Sequence, residues 1–166
     1  MNSAITATEY SPEQGLFDLT LINAENSTSN FDDVVVEGIQ RGIPPELLTR
    51  LREIWKKTKL IAGELISIGK IIVQQIFTFL KENPKLTLGL ALGAIVATFI
   101  AGIPVFGPIL EPMSTIIATL YGAGVGAAMQ KGNYSGSPFA AAIELAHKFC
   151  ELIEKIFNAV VGYWKE

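Results

Sequence analysis

The chain of 166 residues has one cysteine, Cys150, and one histidine, His147. A single cysteine excludes an intrachain disulfide framework, and the two residues together are too few for a Cys/His zinc cluster. Charge is scarce as well: Asp, Glu, Lys and Arg make up 17% of the residues, against about 25% in soluble domains. Positive charge is not in excess, with a net charge of −3 and a pI near 5.3. That balance argues against nucleic acid as a partner. The N-terminus lacks a basic stretch followed by an apolar run, so no cleaved signal peptide is expected. Phosphate-binding loops, paired carboxylates and nucleophile elbows are missing. Gly122-Ala123-Gly124-Val125-Gly126 follows no strand and is not a dinucleotide fingerprint. His147 precedes Cys150 by three residues, but no Asn or Asp nearby would orient it as a base. No enzyme, cofactor or metal site is expected.

What is present is apolar. Hydrophobic residues form 49% of the chain and the mean hydropathy is +0.38, which rules out a wholly disordered polypeptide. The charge is also unevenly spread. Residues 1–43 carry seven acids against Arg41 alone; residues 44–85 carry eight bases and four acids. Residues 86–130 carry only Glu111, and residues 131–166 are balanced.

The nearly chargeless block reads as a membrane hairpin over residues 84–131. Leu86–Ile103 and Met113–Gln130 are each 18 residues, about 27 Å as helices, against a hydrocarbon core of about 30 Å. Pro104, Pro108 and Pro112 break the chain between them, and Glu111 falls in that turn, where a charge is cheapest. Lys81, Lys85 and Lys131 flank the opposite end. The positive-inside rule then predicts an integral membrane protein with both termini cytoplasmic. Small residues recur every four positions: Gly89, Gly93, Ala97 and Ala101 in the first helix, Ala118, Gly122 and Gly126 in the second. In lipid, such stripes allow close helix packing as a glycine zipper.

Two amphipathic helices flank the hairpin. The first is expected over 44–83, with a seam from Leu47 through Ile54, Ile61 and Ile68 to Phe79. Its basic half, Arg50, Arg52, Lys56, Lys57 and Lys59 with Trp55 among them, is suited to an anionic membrane surface. The second, over 137–165, is capped by Ser137-Pro138 and has a heptad-like seam from Phe139 through Cys150 to Trp164. Residues 1–43 read as an acidic, largely disordered arm. Within it Leu16–Ile22 alternates as a strand would, and a short helix is expected over 30–41.

The fold class is therefore expected to be all-α. The expected function is that of a small membrane protein, homo-oligomeric, that perturbs or permeabilises a lipid bilayer through packed hairpins. Two alternatives remain open: a passive anchor or scaffold whose arm, residues 1–43, recruits a protein partner, and a soluble helical assembly that inserts on a trigger. A soluble monomer requires a full jacket around the apolar helices, and two flanking helices are too few to supply one.

Overall fold

The computed structural model describes residues 10–122 and 138–164. The fold is all-α apart from one small β-hairpin, with seven α-helices among the described residues. Helix α1 (Pro12–Asn26) starts where the Ser11 side chain accepts from the Gln14 N–H and Pro12 takes the first turn, a position that needs no N–H. Helix α2 (Phe31–Gln40) starts where the Asn30 side chain accepts from the Asp32 N–H, and it ends before Gly42 at φ +84°. Helix α3 spans Pro45–Trp55. Strands β1 (Lys59–Ile61) and β2 (Glu64–Ile66) pair antiparallel, with Leu60 opposite Leu65. Helices α4 (Ile68–Glu82), α5 (Leu88–Gly102), α6 (Gly107–Tyr121) and α7 (Pro138–Ala159) follow.

Helix α5 is the axis of the bundle. It packs against α4, α6 and α7; α1 lies over α4 and α7, and α3 over α4 and α6. Leu92, Ala94, Ile95, Val96 and Phe99 are fully buried, although they point in several directions around the helix. Phe99, Phe106, Phe157 and Trp164 make successive edge-to-face contacts with ring centroids 4.8–6.4 Å apart. These tie α5 to α7 and to the C-terminal segment, whose Trp164 also bridges to Ile61 of β1.

Four expectations are corrected by this architecture. First, no helix among the described residues is long and apolar enough to cross a membrane. Helix α5 has 15 residues, about 22 Å, because Thr87 caps it at one end and the chain turns at Ile103. The bend is also shorter than Pro104–Pro112: a 3-10 turn covers Pro104–Phe106 and the next helix starts at Gly107. Pro108 lies in the first turn of α6, while Pro112 and Glu111 sit within the helix on its exposed side.

Second, the single helix expected over 44–83 is interrupted. The apolar seam continues in sequence, but Lys59–Ile61 and Glu64–Ile66 pair around a two-residue turn with positive φ at both Ala62 and Gly63. Such a turn matches the strand twist and reverses the chain. Gly69 then lets α4 fold back on the end of α3. A Cβ at Gly69 would lie 1.7 Å from the Ile54 carbonyl oxygen.

Third, residues 10–43 are not a disordered arm. Leu16–Ile22 lies inside α1, where Leu19 is buried and Leu16 and Ile22 are half-buried. Their three-residue spacing serves a helix, and Gly15 admits Ala159 of α7 so closely that an added Cβ would sit 2.9 Å from its Cβ. Fourth, the jacket has more than two helices: α1, α3 and α4 join α7, which is the second flanking helix largely where it is expected, at Pro138–Ala159. Together they supply the jacket that two helices could not.

Candidate functional site: an apolar hairpin inside its jacket

The segment α5–turn–α6, Leu88–Tyr121, contains a single charged residue, Glu111. Its inner side is core, and only Ala101 of α5 is exposed. The outer side of α6 exposes Glu111, Pro112, Thr115 and Thr119. The hydroxyls there are turned onto their own helix. Ser114 and Thr115 donate to the Glu111 carbonyl at 2.9 and 3.4 Å, and Thr119 donates to the Thr115 carbonyl at 3.0 Å. A hydroxyl satisfied this way needs no water. The outer side of the apolar hairpin is therefore polar by composition but has few unmet donors.

Of the small residues in the expected stripes, Gly89 and Gly93 are buried, Ala97 and Ala118 are half-buried, and Ala101 and Gly122 are exposed. A four-residue spacing advances about 40° beyond each full turn of a 3.6-residue helix, so a stripe begun at Gly89 has left the interface by Ala101. The contact that closes the hairpin is Gly89, where a Cβ would meet the Tyr121 ring at 2.8 Å. Gly122, at φ +107°, ends α6. Gly126 lies outside the described residues.

Two buried hydroxyls in this segment, Thr98 Oγ1 and Tyr121 Oη, have no hydrogen-bond partner among the described residues. At the turn, α7 holds the end of α5: Asn158 Nδ2 donates to the Gly102 carbonyl at 2.9 Å. That bond supplies a partner to a carbonyl at the helix end, where intrahelical donors run out.

The basic set is spread over several environments. Trp55 is not at a surface: it is 9% exposed, packs edge-to-face on Phe31 at 5.4 Å, and has Lys70 Nζ 5.8 Å from its ring centre. A buried indole is unavailable to lipid headgroups, which corrects its assignment to the membrane surface. Arg50 pairs with Glu53 at 3.0 Å, Arg52 lies over the Phe31 ring at 5.3 Å, and Lys59 faces the Trp164 ring at 5.8 Å. Lys56 and Lys57 are exposed.

Cys150 is buried in the core between α7 and its neighbours, and burial, with the Glu154 carboxylate adding to it, pushes its thiol up to about 12. A thiol so shifted is a poor nucleophile at neutral pH. His147, three residues away, is exposed. Among the described residues no cluster of His, Cys, Asp and Glu is placed to hold a metal. No family model matches the chain, and no curated protein or solved structure matches it.

Sequence reasoning missed the jacket residues Gly15, Gly38 and Gly69, whose lack of a Cβ allows the close helix crossings. A signal for α1 was available in Ser11-Pro12-Glu13, a cap followed by a first-turn proline and an acid at the positive helix end. No comparable signal marks Gly69, because its role depends on a backbone distant in space until α3 and α4 meet.

Proposed function

We propose that this protein acts on lipid bilayers as a helical bundle that stores the α5–α6 hairpin in its interior and releases it into the membrane on a trigger. This joins the expectation of bilayer perturbation to that of an assembly that inserts. The observation that carries it is the contrast in charge: one charged residue in the 34 residues Leu88–Tyr121, in a chain of 166 that holds 29. Burial in protein and burial in lipid reward the same apolar surface. The jacket charges favour water, so the two parts of the molecule respond differently to a bilayer. The internally bonded hydroxyls of α6 support the reading, since each unsatisfied donor in hydrocarbon costs several kcal/mol. A passive anchor would bind lipid without breaching it, which separates the rival reading.

The test uses the full chain with Cys150→Ala and Ala101→Cys, labelled at the exposed Ala101 site with an environment-sensitive dye. On vesicles, quenching of that dye by lipids brominated on their acyl chains, together with release of trapped solute, is expected. Binding without quenching or release would leave the anchor reading and overturn this one.

A further inference from the structure

We propose that the outer face of the β-hairpin Lys59–Ile66, with the exposed lysines that precede it, is a docking surface for an anionic lipid bilayer. The proposal takes its partner from the membrane reading above, but it does not require release of the apolar hairpin.

The two faces of the β-hairpin have different fates. Side chains alternate along a strand, so Ile61 and Ile66 point one way and Leu60 and Leu65 the other. Ile61 and Ile66 are 1% and 2% exposed and fasten the β-hairpin to the bundle. Leu60 and Leu65 stand directly opposite each other and are 49% and 62% exposed. On its other face the β-hairpin borders a groove of about 270 Å³ with Phe17 of α1, and α1 carries Glu13, Asp18 and Glu25 and no base, so that helix stays outside the surface. Single exposed leucines are ordinary, whereas a cross-strand pair held together on one strand face forms an apolar patch that invites a partner.

Charge identifies the partner. Lys56 and Lys57 are exposed immediately before β1, and Lys59 is half-exposed beside them. The β-hairpin contains one acid, Glu64, within hydrogen-bond reach of Thr20 Oγ1 at 3.5 Å. The turn residues Ala62 and Gly63 are exposed and uncharged. An exposed leucine pair preceded by two exposed ammonium groups matches the chemistry of an anionic interface: headgroup phosphates and carboxylates meet Lys56 and Lys57, and the leucines enter the acyl boundary. Asn23 of α1 keeps the presentation rigid. Its side chain accepts from the Ser67 N–H at 2.8 Å and donates to the Leu65 carbonyl at 3.4 Å.

The test is flotation of the full chain with vesicles of phosphatidylcholine alone or mixed with phosphatidylserine, scored beside release of a trapped dye. The wild type is expected to bind only the anionic vesicles and to weaken as salt rises. Lys56→Gln/Lys57→Gln should bind roughly 30-fold less tightly, at about a factor of five per base. Leu60→Ser/Leu65→Ser should bind at least about tenfold less tightly, since each leucine buries an apolar side chain in the interface. Because all four side chains are exposed, both variants should unfold at the wild-type temperature. Wild-type affinity in both variants, or equal wild-type binding to neutral vesicles, overturns the docking surface. Wild type that floats on anionic vesicles without dye release, with weakened variants, upholds docking and overturns hairpin release. Dye release by wild type, with variants that bind fully, does the reverse. Failure of the wild type to float at all overturns both.

Discussion

Replacing Gly69 with alanine tests whether the jacket closes as described. The added Cβ would lie 1.7 Å from the Ile54 carbonyl oxygen and 2.9 Å from the Trp55 carbonyl carbon, where real Cβ atoms essentially never come under 3.0 Å. The obstacle is backbone, not the end of a flexible side chain. It is fixed on both sides, because the Ile54 oxygen accepts from the Lys57 N–H at 2.9 Å and the Gly69 N–H donates to the Lys57 carbonyl at 3.0 Å. The two helices must part by roughly 1.3 Å, and overpacking of that kind costs typically 1–3 kcal/mol and sometimes more. A loss of about 3 kcal/mol would lower the unfolding midpoint by roughly 6–12 °C at this chain length. Gly162→Ala is the paired control: nothing lies within 4 Å of its added Cβ, its φ is not positive, and it sits in the exposed 3-10 turn Val161–Tyr163. It should gain about 0.5–1 kcal/mol by restricting the unfolded chain. Thermal and urea unfolding followed by circular dichroism would measure both. A Gly69→Ala loss below about 1 kcal/mol would refute the backbone-to-backbone closure of α3 on α4. A loosened jacket also lowers the cost of opening, so Gly69→Ala should release vesicle contents at a lower temperature than the wild type.

Ala62 holds φ +53° in the β-hairpin turn, a conformation that costs a non-glycine residue about 1–2 kcal/mol, so Ala62→Gly should raise stability by about 1 kcal/mol in urea titration. Thr98→Val removes a buried hydroxyl without a partner among the described residues and should stabilise the bundle by about 1 kcal/mol, read the same way. Cys150 makes stability fall at alkaline pH. Its thiol is raised from 9.0 to about 12 in the folded protein, so the favourable neutral state is fully present below pH 9 and is lost as pH rises from 9 through 12. Cys150→Ala should reduce the difference in unfolding free energy between pH 8 and pH 11, measured by urea titration; an unchanged difference would mean that the thiol is not buried.

The helical class could be read from the spacing of apolar residues, and so could the central position of Leu86–Ile103, which no charge interrupts. The environment of that run could not. A helix apolar on every side is equally suited to lipid and to the middle of a bundle, and the decision depended on counting jacket helices. That count failed at two places. The seam from Leu47 to Phe79 remains periodic through Lys59–Ile66, so periodicity alone hides the two-residue turn; Ala62-Gly63 lacks the Asn-Gly pair that usually announces one. In α1, the polar residues Thr20, Asn23 and Asn26 mask an inward face of only Gly15, Leu19 and their half-buried neighbours. Asn23 and Asn26 are spent on carbonyls and an N–H of the fold, a use that composition reads as solubility. The basic residues were visible as a cluster, but exposure of the Leu60–Leu65 pair follows from strand register, and burial of Trp55 follows from the packing of α3 against Phe31.

The short helices make a final demand on the membrane reading. Helices α5 and α6 have 15 residues each, about 22 Å, some 8 Å less than a typical hydrocarbon core. A hairpin of that length spans a bilayer only if the lipid thins or the helices lengthen, at a fraction of a kcal/mol per Å of mismatch. Extension is limited at the turn by Pro104 and at the start of α5 by Pro84, which leaves Lys85–Thr87 as the free length at that end. Thin bilayers should therefore be breached more readily than thick ones. At about 0.3 kcal/mol per Å, removing 5 Å of hydrocarbon favours the spanning state by about 1.5 kcal/mol, more than tenfold in population. Dye release from vesicles with 14-carbon chains should exceed that from 18-carbon chains of the same headgroup by roughly this factor, once bound protein is equalised. Equal release from both would refute a spanning hairpin and place α5 and α6 flat in the interface, where thickness has little effect.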